Sequence, residues 1–270
     1  MKFGICSEIF KDWNDIGRTI DYVKAAGYDG LEVAPFTLAP RVTQIPAHTR
    51  QDIVQKAAAA DLDILGIHWV FVGPDGVHLT HPDEAVRKHT AAYLVDLVNF
   101  CGDLGGKIIV FGSPKQRNVE EGVSYDQAFG YARAAFEHAL PACEARGVTI
   151  CMEPLTHLET NFCKSVAETV RLIEAVKHPN FQLILDTKAM AFEEEGRPAL
   201  IRKYASYMKH YHANDENLHG PGFGDVDFAP IFAALKEVDF GGYVSVEVFN
   251  FEPGPEAIAT KSLAHMKRFI

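Results

Sequence analysis

Eight short strand-like segments alternate with amphipathic segments along the whole sequence, and this alternation is the strongest constraint on the fold. The strand-like segments are rich in β-branched and aromatic residues and cover residues 2–7, 29–35, 62–69, 107–113, 148–154, 181–187, 207–214 and 243–250. Between them, apolar residues recur at helical spacing in residues 14–26, 82–104, 124–146, 165–177, 198–206, 228–238 and roughly 255–269. Strands that alternate with helices in this way are typical of a parallel sheet.

Glycine-containing junctions indicate where the helices end. The stretches AAGYDG, DLGGK, ARGV and DFGGY each close a helix-like segment before a strand-like one, which predicts a left-handed C-cap at each junction. Eight β-then-α units within 270 residues predict an α/β fold, a single-domain (β/α)8 TIM barrel over residues 1–270. An open, doubly wound sheet is the alternative, but the stretch CSEIFKDW at the end of the first strand lacks the glycines of a phosphate-binding turn.

The charge balance argues against nucleic acid and anionic membranes as partners. The chain has 36 acidic and 26 basic residues and a formal net charge of −10, whereas nucleic-acid-binding proteins usually carry a basic surface. No apolar run reaches the roughly 18–20 residues that a membrane span needs, and MKFGICSEIF does not have the pattern of a signal peptide. The five cysteines form no CxxC pair. They predict buried free thiols in a reducing compartment, and therefore a cytoplasmic protein.

Polar residues stand at the carboxyl-terminal ends of seven of the strand-like segments. They are Glu32, His68, Ser113, Glu153, Asp186, His212 and Glu247. In a (β/α)8 barrel these ends together form the face that carries the active site. In the fifth, sixth and eighth segments the carboxylate shares a face with the more polar neighbours, and the opposite face is uniformly apolar. This alternation predicts that the carboxylates point into the barrel.

Three carboxylates and one imidazole are therefore expected to converge at the barrel mouth. Taken singly, Glu153 could be an ion-paired strand end, Asp186 a turn cap and His212 a hydrogen-bonded core histidine. Together, the carboxylates would repel one another, and a divalent cation held by Glu153, Asp186, His212 and Glu247 relieves that repulsion. Oxygen donors with one imidazole favour Mn²⁺, with Mg²⁺, Co²⁺ or Zn²⁺ as alternatives.

The motifs around these strand ends resemble those of a known superfamily. The motifs are MEPL with Glu153, LILDT with Asp186, HYHAND with His212, SVEVFN with Glu247, GSPKQR at 112–117 and GPGFGDVDF at 220–228. With them the whole chain resembles the xylose-isomerase-like barrel superfamily, in the sugar phosphate isomerase/epimerase branch that includes ketose 3-epimerases, hydroxypyruvate isomerase and inosose dehydratase. The resemblance implies a single divalent metal ion held by the same four residues.

The resemblance also implies a mechanism. In the 3-epimerases the glutamates of the fifth and eighth strands act as the acid/base pair, which implies catalytic roles for Glu153 and Glu247. One glutamate would remove a proton from the carbon beside a ketone, and the other would return a proton to the opposite face. The metal would hold the ketone and neighbouring hydroxyl oxygens and would stabilise the cis-enediolate.

Two positions depart from the 3-epimerase pattern. Ala189 stands where that pattern has a histidine, and Leu218 stands where it has an arginine. Both missing groups normally contact substrate oxygens, so we expect an intact metal site with altered substrate contacts. The candidate substrate-binding residues are Glu32, His68, Lys115, Arg117, Lys188 and His219. For Glu32 and His68 the alternative is support of the metal ligands, and for Lys115 and Arg117 it is a solvated loop.

The leading functional hypothesis is a metal-dependent isomerase or epimerase of a small-molecule carbohydrate, whether a sugar, a sugar phosphate or a polyol. An inosose-dehydratase-like lyase would use the same proton abstraction and then expel a hydroxyl group. An endonuclease-IV-like phosphodiesterase would need more strand-end histidines and a DNA-binding face, and a non-catalytic sugar-binding protein is the remaining alternative. Relatives commonly form dimers or tetramers, so the resemblance implies a homodimer or a homotetramer.

Overall fold

Eight parallel strands close into a barrel in chain order in the computed structural model, which describes residues 1–270. The strands are β1 (Lys2–Cys6), β2 (Gly30–Val33), β3 (Asp63–Ile67), β4 (Ile108–Phe111), β5 (Thr149–Met152), β6 (Phe181–Asp186), β7 (Met208–Ala213) and β8 (Tyr243–Val246). The helices are α1 (Ile16–Ala26), α2 (Ala47–Ala59), α3 (Glu84–Asp103), α4 (Tyr125–Arg146), α5 (Val166–Val176), α6 (Arg197–Tyr204), α7 (Phe228–Glu237) and α8 (Pro255–Met266). Short 3₁₀ helices cover Ser7–Trp13, Pro35–Thr37, Val42–Gln44, Lys115–Arg117, Ala189–Phe192 and Lys267–Phe269. This is the (β/α)8 architecture that the sequence predicts.

The helix between β2 and β3 is the one helix that the apolar pattern does not indicate. Only Ile53 and Ala57 are buried among the thirteen residues of α2, so its apolar periodicity is weak. The other seven helices lie within a few residues of their predicted bounds.

The predicted glycine caps are confirmed at two of the four junctions. Gly27 ends α1 with a φ of 96°, and Gly147 ends α4 with a φ of 61°. After α3 the left-handed residue is Gly105, one position beyond the cap. In the DFGGY junction the glycine prediction is wrong, because Asp239 takes the positive φ of 50°. Aspartate is among the few residues other than glycine that tolerate this region.

The chain forms two compact units, and their boundaries fall at the end of β2 and within α2, β3 and β6. The first unit comprises Met1–Val33, Asp52–Leu65 and Ile184–Ile270, and the second comprises Ala34–Gln51 and Gly66–Leu183. The extent of a single domain over residues 1–270 stays a prediction.

In the first unit, two glycines on neighbouring strands make room for one large side chain. A Cβ atom on Gly4 would lie 2.5 Å from Cδ1 of Leu65, and one on Gly30 would lie 2.3 Å from Cδ2 of the same residue. Gly4 pairs with Gly30 across β1 and β2, and two residues further on Cys6 pairs with Glu32. Because side chains alternate along a strand, the interior changes from an apolar layer to a polar one towards the strand ends.

In the second unit, a chain of packed phenylalanine rings fixes the end of β4. The ring centroids of Phe71 and Phe111 are 5.0 Å apart, those of Phe111 and Phe136 are 5.1 Å apart, and those of Phe136 and Phe181 are 4.6 Å apart. Each such pair contributes about 0.5–1.5 kcal/mol beyond the area that it buries. This packing holds the backbone of Phe111, and the next residue is Gly112 of the GSPKQR motif.

All five cysteines are buried, as expected from the sequence. Burial raises the pKa of the Cys101, Cys143 and Cys163 thiols to about 12, so these groups are protonated and unreactive at neutral pH. None of the helices combines the length and the apolar character that crossing a membrane requires.

Candidate active site and metal centre

Four side chains from the ends of β5, β6, β7 and β8 form one buried group. Glu153, Asp186, His212 and Glu247 each offer one ligand atom, and these atoms all lie within 4.8 Å of one another. All four residues are at most 4% exposed. Glu153 and Glu247 directly follow the last residues of β5 and β8. These are the four residues that the strand-end pattern singles out, and their role as metal ligands stays a prediction.

The electrostatics of this group suit a cation. Burial raises the pKa of Asp186, and the Glu247 carboxylate acts in the same direction, whereas Lys188 and His212 oppose the rise. Burial also disfavours the imidazolium of His212, but the carboxylates of Glu247 and Glu32 outweigh it and hold the pKa of His212 well above its ordinary value. Three buried carboxylates with one imidazole are a donor set that fits a divalent ion with a preference for oxygen ligands.

Asp186 is held by hydrogen bonds on both carboxylate oxygens. The backbone N–H of Ala189 donates to Oδ1 at 2.7 Å, and the side-chain amide of Asn214 donates to Oδ2 at 2.5 Å. The same Asn214 side chain accepts a hydrogen bond of 2.8 Å from the backbone of Lys188. Ala189, which departs from the 3-epimerase pattern, therefore contributes its backbone to the orientation of Asp186.

The carboxylate of Glu153 occupies space that a glycine leaves open. A Cβ atom on Gly112 would lie 2.2 Å from Oε2 of Glu153. The backbone of Glu153 is also fixed, because its N–H donates to the carbonyl of Phe111 at 3.1 Å and its carbonyl accepts from Nη1 of Arg117 at 2.7 Å. Arg117 is fully buried, and burial lowers the pKa of its guanidinium. Arg117 therefore supports the backbone of Glu153. Its burial does not fit the alternative interpretation, in which it belongs to a solvated loop.

Glu32 contacts two histidines of β7. Its Oε1 lies 2.5 Å from Nε2 of His210, and its Oε2 lies 3.2 Å from Nε2 of His212. Burial raises the pKa of Glu32, but the two histidines outweigh burial and hold it well below its ordinary value. The geometry therefore favours support of the metal ligands over direct substrate contact. Sequence reasoning missed His210, although its position two residues before His212 on the same face of the strand was a usable signal.

Lys188 lies against Phe249, a residue that lines a cavity after the end of β8. Its Nζ is 4.2 Å from the centre of the Phe249 ring, and Lys188 is buried. Phe249, Ile9 and Leu218 line this cavity of about 720 Å³, a volume within the range of small-molecule sites. Leu218 is 43% exposed and has a φ of 71°, which is uncommon for a residue other than glycine.

Two other predicted substrate contacts lie outside the strands, Lys115 at the start of a 3₁₀ helix and His219 on a loop. Lys115 is exposed. The ring of His219 stacks on Phe223, and its Nε2 lies 3.1 Å from the side-chain amide of Asn250. Neither residue belongs to the four-residue group, and their substrate contacts stay predictions.

His68 belongs to a different buried group at the strand ends. It offers a ligand atom within 4.8 Å of those of Cys6 and Glu8. Sequence reasoning missed Glu8, which is fully buried and whose Oε1 accepts a hydrogen bond of 3.4 Å from the backbone of Val248. The signal was available, because Glu8 is a carboxylate only two residues after β1, close to the position at which other carboxylates follow β5 and β8.

The closed (β/α)8 barrel, with carboxylates and a histidine at its strand ends, places the chain among the (β/α)8 barrel proteins whose polar groups lie at that face. The chain belongs to the xylose isomerase-like TIM barrel family, whose sequence model matches residues 20–269. D-psicose 3-epimerase of Ruminiclostridium cellulolyticum is 27% identical over 254 residues, which cover 92% of this chain and 84% of that protein.

Solved structures share the whole fold. The crystal structure of 3-keto-D-glucoside 4-epimerase from E. coli matches with a TM-score of 0.86 and 20% identity, and the match covers 99% of each chain. The IolI protein, whose structure contains a zinc atom, matches with a TM-score of 0.77 and 17% identity over 100% of this chain and 98% of that one. These likenesses confirm the predicted fold, and the match to the family model confirms the predicted superfamily.

Proposed function

We propose that this chain is a divalent-metal-dependent sugar epimerase or isomerase that acts by proton abstraction next to a carbonyl. The observation that carries the proposal is the buried group of Glu153, Asp186, His212 and Glu247, in a chain whose matched relatives include a ketose 3-epimerase. The epimerase names of the relatives favour this reaction over the lyase, phosphodiesterase and binding-protein alternatives.

The four residues would hold the metal ion. Carboxylate oxygens and an imidazole suit Mn²⁺, Mg²⁺, Co²⁺ and Zn²⁺. Of these four ions we favour Mn²⁺ and keep the other three as alternatives. When bound, the ion would supply positive charge next to the substrate oxygens on which negative charge develops.

Glu153 and Glu247 would carry out the two proton transfers. The carboxylate of one glutamate removes the proton from the carbon beside the ketone, and the electron pair of that C–H bond shifts towards the carbonyl oxygen. The protonated carboxyl group of the other glutamate then donates its proton to the opposite face of the same carbon, which inverts the configuration. The two residues follow different strands, β5 and β8, which supports placing them on different sides of a substrate.

Substrate contacts would come from the cavity beside β8. The Phe249 ring lines that cavity and lies against Lys188, so the ammonium group of Lys188 is a candidate to bind a substrate oxygen. Leu218 presents an apolar side chain at the same cavity. We therefore expect a sugar whose contacts at this side differ from those of the 3-epimerases. A cytoplasmic location and a homodimer or homotetramer stay predictions.

The experiment is a substrate screen in D₂O. The metal-free protein is supplemented with Mn²⁺ and incubated with ketoses, ketose phosphates, 3-keto-glycosides and inososes, and the products are followed by NMR. We expect deuterium to enter the carbon beside the carbonyl, with the epimer or isomer as product. The controls are the metal-free protein, which should leave the substrate unlabelled, and the Glu247→Gln variant, which should label it at least about 100-fold more slowly.

Two results would contradict the proposal. Release of water with an unsaturated or diketo product would indicate a lyase. Binding of sugars with no deuterium incorporation across the whole panel, with Mn²⁺ bound, would indicate a protein without turnover.

A further inference from the structure

Four buried side chains of the first unit form a continuous hydrogen-bonded row. Oε2 of Glu247 lies 3.1 Å from Nδ1 of His212, Nε2 of His212 lies 3.2 Å from Oε2 of Glu32, and Oε1 of Glu32 lies 2.5 Å from Nε2 of His210. All four residues are at most 2% exposed. The proposed proton transfers use only the first of them, so the burial of Glu32 and His210 needs another explanation.

The two ring nitrogens of His212 face different surroundings. Nδ1 faces Glu247, a member of the four-residue group, whereas Nε2 faces Glu32. A neutral imidazole that binds a metal through one nitrogen carries its proton on the other. The carboxylates of Glu247 and Glu32 can only accept hydrogen bonds when ionised. Once a metal ion takes the place of the proton on Nδ1, Glu32 therefore stabilises the proton that stays on Nε2.

His210 fixes the orientation of Glu32 from the other side. Each oxygen of the Glu32 carboxylate faces one histidine nitrogen, so rotation of the carboxylate would break both contacts. Nδ1 of His210 is buried without a hydrogen-bond partner. This fits the tautomer in which Nε2 carries the proton and donates it to Glu32. Histidines two residues apart on a strand point to the same side, and this places both rings next to Glu32.

We propose that Glu32 and His210 are positioning residues that hold His212 in the tautomer and orientation needed to bind a metal ion through Nδ1. This inference rests on the metal site of the proposed function and adds residues that do not touch the ion. A carboxylate behind a metal-binding histidine raises the basicity of that histidine and fixes its ring.

Cys6 supplies the rival arrangement. Its Sγ lies 3.8 Å from Nε2 of His212, and Cys6, Glu32 and His212 also form a group with ligand atoms within 4.8 Å of one another. An ion bound there would occupy Nε2 and would exclude the hydrogen bond to Glu32. The two arrangements are distinguishable because only the rival one uses a thiolate ligand.

The first test measures Mn²⁺ affinity by electron paramagnetic resonance on the metal-free protein. We expect Glu32→Gln to weaken Mn²⁺ binding on the order of 10- to 100-fold and His210→Phe to weaken it towards the lower end of that range. Tyr211→Phe is the matched control, because Tyr211 lies between the two histidines on the same strand and its hydroxyl bonds to Thr187 instead. The control should keep the affinity of the wild-type protein.

The second test needs no variant. Long-range ¹H–¹⁵N NMR of the Zn²⁺-loaded wild-type protein should show His212 with a proton on Nε2 and none on Nδ1. The Co²⁺-loaded protein should lack the intense near-ultraviolet absorption of a thiolate ligand. A proton on Nδ1, a thiolate band, or unchanged Mn²⁺ affinity in Glu32→Gln would each overturn the inference and leave the proposed function standing. A wild-type protein that fails to bind Mn²⁺ would overturn both.

Discussion

Gly112→Ala is expected to lower the activity of the protein by moving one carboxylate while leaving the fold intact. The added Cβ atom would lie 2.2 Å from Oε2 of Glu153, and 3.4 Å from its Cδ. Gly112 does not occupy the left-handed region of backbone space, so alanine can adopt its conformation. The atom that meets the new methyl group is the end of a flexible side chain, and it can therefore retreat at little cost in stability.

The size of the movement follows from the contact distance. Real Cβ atoms essentially never approach another heavy atom within 3.0 Å, so Oε2 of Glu153 must withdraw by about 0.8 Å relative to the Cβ position. A misplacement of about 1 Å in an active site can reduce the rate about 10²-fold, which corresponds to about 2.7 kcal/mol of activation free energy. We therefore expect kcat/KM of Gly112→Ala to fall about 100-fold.

The assay compares kcat/KM, Mn²⁺ affinity and the free energy of unfolding in urea for three proteins. They are the wild-type protein, Gly112→Ala and the control Gly130→Ala. Gly130 lies in α4 with no heavy atom within 4 Å of an added Cβ, so its substitution should leave activity unchanged and stabilise the protein by about 0.5–1 kcal/mol. Wild-type kcat/KM in Gly112→Ala would refute the assignment of Glu153 to the reacting group. Loss of activity together with unfolding would refute the claim that only the carboxylate moves.

Three further predictions concern charge. Glu153→Gln and Glu247→Gln should each slow deuterium incorporation about 10²–10⁴-fold, because each removes one proton-transfer group, and a full rate in either variant would contradict its role. Mn²⁺ at a hundred times its Kd should raise the free energy of unfolding, measured by thermal unfolding, by about 2.7 kcal/mol. Asp186→Ala should abolish this rise. An equal rise in the wild-type protein and in Asp186→Ala would place the ion elsewhere. The pKa of Asp63 is lowered, chiefly by the hydrogen bond from the Tyr243 hydroxyl, so its contribution to stability is present above the unfolded pKa of about 3.9 and is lost as the pH falls through the lower folded pKa. Asp63→Asn should therefore reduce the loss of unfolding free energy at acid pH, measured in urea, by less than about 1 kcal/mol, because the Lys2–Asp63 ion pair is exposed. An unchanged loss at acid pH would contradict the lowered pKa of Asp63.

The architecture could be predicted because it depends on patterns that repeat along the chain. A strand of alternating residues and a helix with one apolar face recur, and a closed barrel is what parallel strands with intervening helices form at this length. The strand-end group could be predicted for the same reason, since Glu153 and Glu247 follow the ends of their strands in sequence and strand ends meet on one face. The helix α2 escaped prediction because two buried residues do not make a detectable apolar stripe.

The contacts behind the candidate ligands could not be predicted, because they depend on register between strands. Glu32 lies opposite Cys6 across β1 and β2, and nothing in the sequence of either strand states that pairing. The same holds for Gly112, where the missing side chain matters only because Glu153 fills the space that it leaves. Sequence patterns give the face on which a residue lies, whereas the identity of its neighbour across the barrel requires coordinates.

The distribution of polar groups inside the first unit explains why its candidate ligands, Asp186, His212 and Glu247, lie at the strand ends and no deeper. At the level of Gly4 and Gly30 the interior is filled by the apolar side chain of Leu65, and a carboxylate there would be buried without donors at a cost of several kcal/mol. One layer further on, Glu32 is ionised because it lies against two histidines. Beyond that layer, the carboxylates of Asp186 and Glu247 outnumber the single imidazole of His212, and burial disfavours the charge on Asp186. A divalent cation at this level would balance the excess negative charge, and Glu32 and His210 would orient the imidazole of His212 towards it.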